Sequence, residues 1–124
     1  MKFTPTVLAT NQSMTTSFKS IGISLQQIVL YSIEAVWTGT PVGSFNLEVS
    51  NDDVPVAPTP TNPGSNPAAL VVNWVTYTGS STTVSGAGNF LWNCLDAGYR
   101  WVRVSYTASS STGTCNITFS GKGV

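Results

Sequence analysis

Residues 28–50 decide the fold class, and they read IVLYSIEAVWTGTPVGSFNLEVS. Apolar and polar side chains alternate on both sides of the glycine- and proline-containing centre, which is the pattern of β-strands with one buried face. A turn at 39–43 between two such strands predicts a β-hairpin in which Trp37 lies opposite Phe45. The predicted buried faces are Tyr31, Ile33, Ala35 and Trp37 in the first strand and Phe45, Leu47 and Val49 in the second.

Similar alternation continues along the rest of the chain. Turn residues separate the alternating runs at intervals of roughly ten residues, as in proteins built from short antiparallel strands. Seven to eight short strands predict an all-β fold, an antiparallel β-sandwich of the jelly-roll type. The further predicted strands are 70–78, 82–85, 89–95, 99–107 and 114–120.

The domain organisation follows from chain length and proline content. With 124 residues, the chain is expected to form one domain. Residues 21–124 are predicted to be the β-sandwich, with an extended surface loop at 54–67 whose prolines prevent pairing inside a sheet. Residues 1–20 are predicted to be an N-terminal arm that lies across a neighbouring molecule, and a frayed terminus is the alternative. The apolar contact residues of this arm are Phe3, Val7, Leu8 and Phe18.

The composition argues against several functions. Charged residues make up 8% of the chain, five basic and five acidic side chains cancel, and there is no histidine. Such a chain lacks the electrostatic footprint of a protein that binds nucleic acid or an anionic membrane. It also lacks the commonest general base and metal ligand. We therefore expect no enzyme, no cofactor and no metal site, and neither a secretory signal nor a membrane-spanning segment.

Two acidic pairs are the strongest leads to chemistry. In the predicted hairpin Glu34 lies opposite Glu48 at about 5 Å, the arrangement of a retaining glycosidase. Two ordinary outward-facing glutamates explain the same pattern. Asp52 and Asp53 offer oxygen ligands for calcium, and a turn at the end of a strand also explains them. For both pairs we favour the second explanation, in which the residues have no chemical role.

The two cysteines, Cys94 and Cys115, lie in phase with the buried side chains of their strands. Both are predicted to point into the core. Buried free thiols are the expected state, because free cysteine is often buried, and a single disulfide is the alternative.

Several large side chains occupy positions that should face outward. Trp101 and Arg103 lie on the opposite face of their strand from the core valines, and Leu91 and Leu95 lie opposite the buried aromatic residues of theirs. A single small sandwich has no second layer to cover them. These four residues therefore predict the interface of a homo-oligomer, for which we expect a trimer. For Trp101, cover by the proline-rich loop of its own chain is the alternative.

Two resemblances add to this interpretation. Residues 95–104 (LDAGYRWVRV) resemble the tyrosine-corner region of immunoglobulin-like sandwiches, which implies that Tyr99 bonds back to the preceding loop. A broader resemblance, to small virion proteins of tailed bacteriophages, covers the chain from about residue 20 onward. Its residues are 32–43 (SIEAVWTGTPVG), 45–52 (FNLEVSND) and 86–92 (GAGNFLW), with 99–106 and 112–114 behind them.

The second resemblance implies a non-enzymatic structural component of the virion. The function expected first is a capsid decoration (cement) protein that binds the outside of the capsid as a homo-oligomer. A neck or tail accessory protein is the alternative within the same class. The implied partners are further copies of the chain and the major capsid protein or another virion protein. The implied location is the capsid surface, after synthesis in the host cytoplasm. Low charge suits such contacts, because they would be insensitive to salt.

A carbohydrate-binding β-sandwich used in host attachment is the rival function. In that interpretation the tryptophans form a flat surface on which sugar rings stack.

Overall fold

The computed structural model describes residues 3–26, 28–53, 70–95, 97–110 and 112–123, and strands dominate this part of the chain. The proline-rich loop predicted at 54–67 lies outside the described residues. The strands are β1 (Phe3–Ser13), β2 (Phe18–Lys19), β3 (Ile23–Ser24), β4 (Ile28–Thr38), β5 (Val42–Ser50), β6 (Val75–Thr76), β7 (Thr82–Ser85), β8 (Gly88–Cys94), β9 (Trp101–Ser110) and β10 (Thr114–Gly123).

The strands form two antiparallel sheets that pack face to face. Sheet I has the order β1-β10-β4-β8, and sheet II has the order β2-β9-β5-β6. Strand β3 also pairs with β9, and β7 also pairs with β5, so two pairs of short strands each share one edge. Counting each pair once leaves eight strand positions. In chain order, positions 1, 8, 3 and 6 form sheet I and positions 2, 7, 4 and 5 form sheet II, which is a jelly roll. The predicted fold class is confirmed.

Strand β1 replaces most of the predicted N-terminal arm. It pairs with β10 from Phe3, opposite Lys122, to Ser13, opposite Thr114. Leu8 is 4% exposed and packs into the core between the sheets. Pairing with β10 and burial of Leu8 both attach residues 3–13 to their own domain. These residues therefore do not lie across a neighbouring molecule.

The predicted hairpin between β4 and β5 is wrong, because the two strands belong to different sheets. Strand β4 pairs with β10 and β8, whereas β5 pairs with β9, β6 and β7. The turn after Thr38 is therefore a corner that carries the chain from sheet I to sheet II. Trp37 and Phe45 still meet, with ring centroids 5.4 Å apart, but they do so across the core.

The corner is built from two copies of the triplet Thr-Gly-Thr, at 38–40 and 112–114. The second copy lies between β9 and β10, where the chain crosses back from sheet II to sheet I. The two triplets run against each other, and the hydroxyls of Thr40 and Thr112 are 2.9 Å apart. Two crossings between the sheets thus hold each other in place.

Glycine is required at the middle of both triplets. Gly39 has a φ of 87° and Gly113 a φ of 96°, a conformation that residues with a Cβ rarely adopt. A Cβ on Gly39 would lie 2.7 Å from the Cα of Gly113, so the two backbones approach too closely for any side chain.

The core centres on Phe45, which is fully buried. Its ring contacts Trp37 and Trp92 of sheet I and Tyr106 and Phe18 of sheet II, with ring centroids 4.8–6.4 Å apart. The alternation predicted from the sequence thus assigned the inward faces correctly. The buried residues predicted for β4 and β5 are Tyr31, Ile33, Ala35, Trp37, Phe45 and Leu47, and Val49 is partly buried.

The two cysteines are buried free thiols. Cys94 lies opposite Tyr31 of β4, and Cys115 lies opposite Trp37 on the other side of the same strand. With β4 between them and an offset of six residues, ordinary strand spacings put their Cα atoms roughly 20 Å apart. A disulfide needs a separation below about 7 Å, so the alternative of a bridge within the chain is excluded.

The tyrosine corner implied by the first resemblance is not formed. The hydroxyl of Tyr99 bonds to that of Tyr31 and lies 3.4 Å from Sγ of Cys94. The hydroxyl is therefore engaged by side chains of β4 and β8 and not by the backbone of the preceding loop. Burial raises the pKa of both tyrosines, so both hydroxyls stay protonated.

We expect Trp37→Ala to lower the free energy of unfolding by about 3–5 kcal/mol, because it removes a large buried side chain from the contact between the sheets. Val36→Ala is the matched control on the same strand, since Val36 is 41% exposed, and it should cost less than about 1 kcal/mol. Urea unfolding followed by tryptophan fluorescence and circular dichroism measures both. Equal losses for the two variants would contradict this assignment of inward and outward faces.

Both native thiols should resist labelling by a maleimide until the protein unfolds. Cys115 is fully buried, and burial raises the pKa of its thiol to about 11, which removes the reactive thiolate at neutral pH. A Leu95→Cys variant provides the positive control, because Leu95 is 72% exposed. Mass spectrometry should find one label on this variant and none on the native chain. Rapid double labelling of the native chain would show that the core is not packed as described.

Candidate functional site

The fold separates Glu34 and Glu48, which the predicted hairpin placed opposite each other. Glu34 lies on the outer face of sheet I, opposite Thr118 and Leu91, whereas Glu48 lies on sheet II, opposite Arg103. The hairpin register that set them 5 Å apart is the one that the corner overturns. The pair therefore cannot act on one glycosidic bond, and the glycosidase hypothesis is wrong.

Glu48 is instead the centre of an ion-pair network on the outer face of sheet II. Arg103 Nε donates to Glu48 Oε1 at 2.7 Å, and Lys19 Nζ donates to Glu48 Oε2 at 3.1 Å and to Ser105 Oγ at 2.9 Å. Partial burial alone would raise the pKa of Glu48. The hydrogen bonds from Arg103 and Lys19 outweigh burial, so the pKa lies below its ordinary value. Both carboxylate oxygens are occupied within the chain.

Trp101 is covered by its own chain. It is 2% exposed and packs with Val71 and Trp74. Its indole N–H donates to the main-chain oxygen of Asp52 at 3.1 Å, and the guanidinium carbon of Arg103 lies 4.2 Å from the centre of the Trp74 ring. Of the two arrangements left open by the sequence, the structure has the one in which the chain covers itself. The cover consists of residues that follow the proline-rich segment.

Asp52 holds that cover in place. Its carboxylate accepts hydrogen bonds from the backbone N–H groups of Val72 and Asn73 at 2.8 and 3.0 Å, and from Asn73 Nδ2 at 3.0 Å. These bonds lower the pKa of Asp52. They also hold residues 72–73 out of the strand predicted at 70–78, which shortens to β6. No cluster of three or more metal-ligating side chains occurs among the described residues, and the N–H donors occupy the oxygens that the calcium hypothesis needs.

The hydrogen bonds of Asp52 to Val72 and Asn73 are called the Asp52 clip below. A cleft of about 480 Å³ opens beside this clip, between the end of β5 and the residues that precede β9. Its lining includes Asn51, Asp52, Asn73 and Tyr99. The amide oxygen of Asn51 accepts from the backbone N–H of Arg100 at 3.1 Å, and the Asp52 carboxylate is bonded as described. Both acceptors thus serve the closure of the chain on itself.

The outer face of sheet I has the opposite character. Its central row crosses all four strands and consists of Val7, Thr118, Glu34 and Leu91. All four are exposed, Val7 to 57% and Leu91 to 56%. The neighbouring rows are uncharged: Asn116, Val36 and Asn89 on one side, and Pro5, Ser120, Ser32 and Asn93 on the other. Sheet I therefore presents a nearly uncharged surface that the described residues leave open.

The interface residues predicted from the sequence fall into two groups. Exposed apolar side chains are Val7, Leu91 and Leu95, all on sheet I or directly after it. The others face inward or are engaged within the chain: Leu8 and Trp101 are buried, Phe18 packs on Tyr106, and Arg103 bonds to Glu48. The side chain of Phe3 lies outside the described part of the chain. An interface at the exposed group remains a prediction.

The tryptophans do not form a sugar-binding platform. Trp37, Trp92 and Trp101 are each at most 6% exposed, and Trp74 is half-buried with its ring beneath Arg103. Three of the four indoles are thus closed to a sugar ring, and Arg103 lies over the ring of the fourth.

Sequence reasoning missed the Asp52 clip and the Glu48 network. Asp52 and Asn73 are separated by a long proline-rich stretch, and no periodic pattern links residues across it. The Glu48 network was missed because the assumed hairpin paired that strand with β4 instead of β9. The repeated Thr-Gly-Thr triplet is the one sequence feature that the two crossings share.

The chain matches no protein-family model and no curated protein. Among solved structures it is similar to the coat protein of Tobacco streak virus, with 11% sequence identity and a TM-score of 0.34 over 98% of this chain and 88% of that one. An alignment this loose describes neither the function nor the assembly of this chain. Among the described residues, no helix has the length and apolar character to cross a membrane.

Glu48→Gln should make the chain less sensitive to acid. Because the folded-state pKa of Glu48 is lowered, its ionised form stabilises the fold at pH values above its ordinary pKa of 4.5, and this contribution is lost as the pH falls through the folded-state value. We expect the variant to be about 1–2 kcal/mol less stable than the native chain at pH 7, with the difference shrinking near pH 3.

Chemical unfolding at both pH values measures this difference. Glu34→Gln is the matched control, because it removes an exposed carboxylate from the other sheet, and it should cost less than about 0.5 kcal/mol at pH 7. A Glu48→Gln deficit that is the same at both pH values would contradict the electrostatic role of Glu48.

Proposed function

We propose that this chain is a non-enzymatic virion structural protein of a tailed bacteriophage, a decoration protein that binds the outside of the capsid as a homo-oligomer. The observation that carries the proposal is the open, nearly uncharged outer face of sheet I, with Val7 and Leu91 exposed in its central row. The sequence resemblance to small phage virion proteins supports the class of protein. The jelly-roll strand order supports it too, since this fold is frequent among capsid domains.

The contrast between the two outer faces supports the choice of surface. On sheet II, Glu48 is neutralised by Lys19 and Arg103, and Trp101 is covered by its own chain. Sheet I offers threonine, serine, asparagine and valine side chains in regular rows. Contacts of such residues depend little on ionic strength, which suits a protein that must stay on a particle in media of different salt content.

The two rival functions lack support in the geometry. A glycosidase would need two carboxylates on one side of the molecule, and Glu34 and Glu48 lie on opposite outer faces. A lectin that stacks sugars on tryptophan would need an exposed indole, whereas three of the four tryptophans are buried and Arg103 lies over the ring of the half-buried Trp74. Jelly rolls include lectins, so a glycan array remains a useful exclusion, with no binding expected.

Co-sedimentation with emptied capsids tests the proposal. The native chain should sediment with the particles equally well at about 50 mM and about 500 mM salt. Added salt would weaken a contact between charges, and the proposed contact is nearly uncharged. Thr118→Arg places a long charged side chain at the centre of the sheet I face, and should reduce binding at least tenfold. Thr107→Arg is the matched control, because Thr107 is exposed on β9 of sheet II, and it should bind as the native chain does.

Three results would count against the proposal. A native chain that does not sediment with capsids removes it. Equal loss of binding in both arginine variants places the contact elsewhere. Binding to isolated necks or tails but not to capsids favours the accessory-protein alternative.

A further inference from the structure

The edges of the two sheets differ in how well they are protected against pairing with another chain. Natural β-proteins blunt their edges with proline, bulges, charges or very short strands. Strand β1 carries Pro5 and two register shifts, around Ala9, and Asn11 has a positive φ of 47°. Both edges of sheet II are split into strands of two to four residues. Three of the four edges are therefore protected.

The fourth edge, strand β8, has none of these devices. It pairs with β4 without a register shift from Gly88 to Cys94, and its sequence GNFLWNC contains neither proline nor charge. On its other side no described strand pairs with it. An uninterrupted seven-residue strand of this kind is a ready template for one more strand.

The side chains of β8 are complementary to those of a second β8 in the antiparallel orientation. A two-fold axis at Leu91, the middle residue, keeps all seven residues paired. On the outer face it sets Leu91 opposite Leu91 of the second copy, and Asn89 opposite Asn93 of the second copy. On the inner face it sets the half-buried Phe90 opposite Trp92 of the second copy. Apolar and aromatic cross-strand pairs of this type stabilise antiparallel sheets.

We propose that two copies of this chain associate through antiparallel pairing of their β8 strands about a two-fold axis at Leu91, which joins the two sheets I into one continuous eight-stranded sheet. The contact is isologous, so each copy contributes the same surface and the assembly closes at two. This inference rests on the homo-oligomer of the proposed function and names its contact. It yields a dimer in place of the trimer expected from the sequence. The outer faces of both sheets I remain open for the capsid.

Cross-linking tests the register. In Leu91→Cys the two introduced thiols lie directly opposite each other, and the native cysteines are buried. A short bismaleimide should convert the chain to a covalent species of twice the 13.1 kDa chain mass. Val36→Cys is the matched control on the same face, one strand further in, with Val36 41% exposed. It should cross-link at least tenfold less. Equal cross-linking of the two variants would overturn the edge contact in favour of face-to-face association.

Charge pairing tests the same contact without covalent chemistry. Asn89 and Asn93 are exposed, so they tolerate substitution. In a chain with Asn89→Lys and Asn93→Lys, like charges oppose each other twice across the axis, and the same holds for a chain with Asn89→Asp and Asn93→Asp. Each variant alone should dimerise at least tenfold more weakly than the native chain. An equimolar mixture of the two should recover the dimer as a mixed pair.

Sedimentation equilibrium of the purified chains, with circular dichroism as a check of folding, gives the answer. A native chain that stays monomeric up to millimolar concentration overturns the inference, and so does a folded pair of charge variants that does not associate on mixing. Because no capsid is present, dimerisation through β8 can succeed while capsid binding fails, and a chain that associates through another surface can still bind capsids as a homo-oligomer. The two proposals therefore fail separately.

Discussion

The contact between the ring of Phe45 and the aromatic rings of both sheets is the interaction on which the rest of the structure depends. No hydrogen-bonded pair of the described strands joins the two sheets, so side-chain packing must hold their faces together. Phe45 meets Trp37 and Trp92 from sheet I and Tyr106 from sheet II. The buried indole N–H groups are satisfied by carbonyl oxygens of turns, since Trp37 donates to Gly86 and Trp92 to Ser80, each at 2.7 Å. Burial of the large rings is therefore free of the penalty for an unpaired polar group, and the same bonds position the turns.

The sequence predicted which way side chains point better than it predicted which strands are neighbours. A period of two depends only on one strand and its buried face, so the inward residues of β4, β5, β8, β9 and β10 were correct. The turn after Trp37 has the same local composition whether the chain folds back within a sheet or crosses to the other one. Only contacts with the distant Gly113 and Thr112 decide between the two. Pairings such as Glu34 with Glu48 failed for this reason, and the cover over Trp101 was only one of two open arrangements.

The structure divides the molecule into a closed side and an open side. On sheet II, the ion pairs of Glu48 and the clip made by Asp52 occupy polar groups within the chain and cover Trp101. On sheet I, rows of small polar and aliphatic side chains end at the unprotected strand β8. Polar groups that are already satisfied gain little from a partner, whereas an unpaired strand edge gains a hydrogen bond for each donor that finds an acceptor. The groups that could still gain from a partner are thus concentrated on sheet I.

The position of β10 has a consequence for the order in which the protein can fold as it is synthesised. This strand lies between β1 and β4 in sheet I, although it is synthesised after every other described strand. Until it emerges, β1 lacks its partner in sheet I and β4 offers one bare edge, so sheet I cannot be completed before β10 is available. Before that point, unpaired backbone groups of β1 and β4 are exposed to other polypeptides, and such exposed strand edges favour aggregation. A fragment that stops before Thr114 would lack β10, the common neighbour of β1 and β4. It would be prone to aggregation and would not fold as a smaller version of the domain.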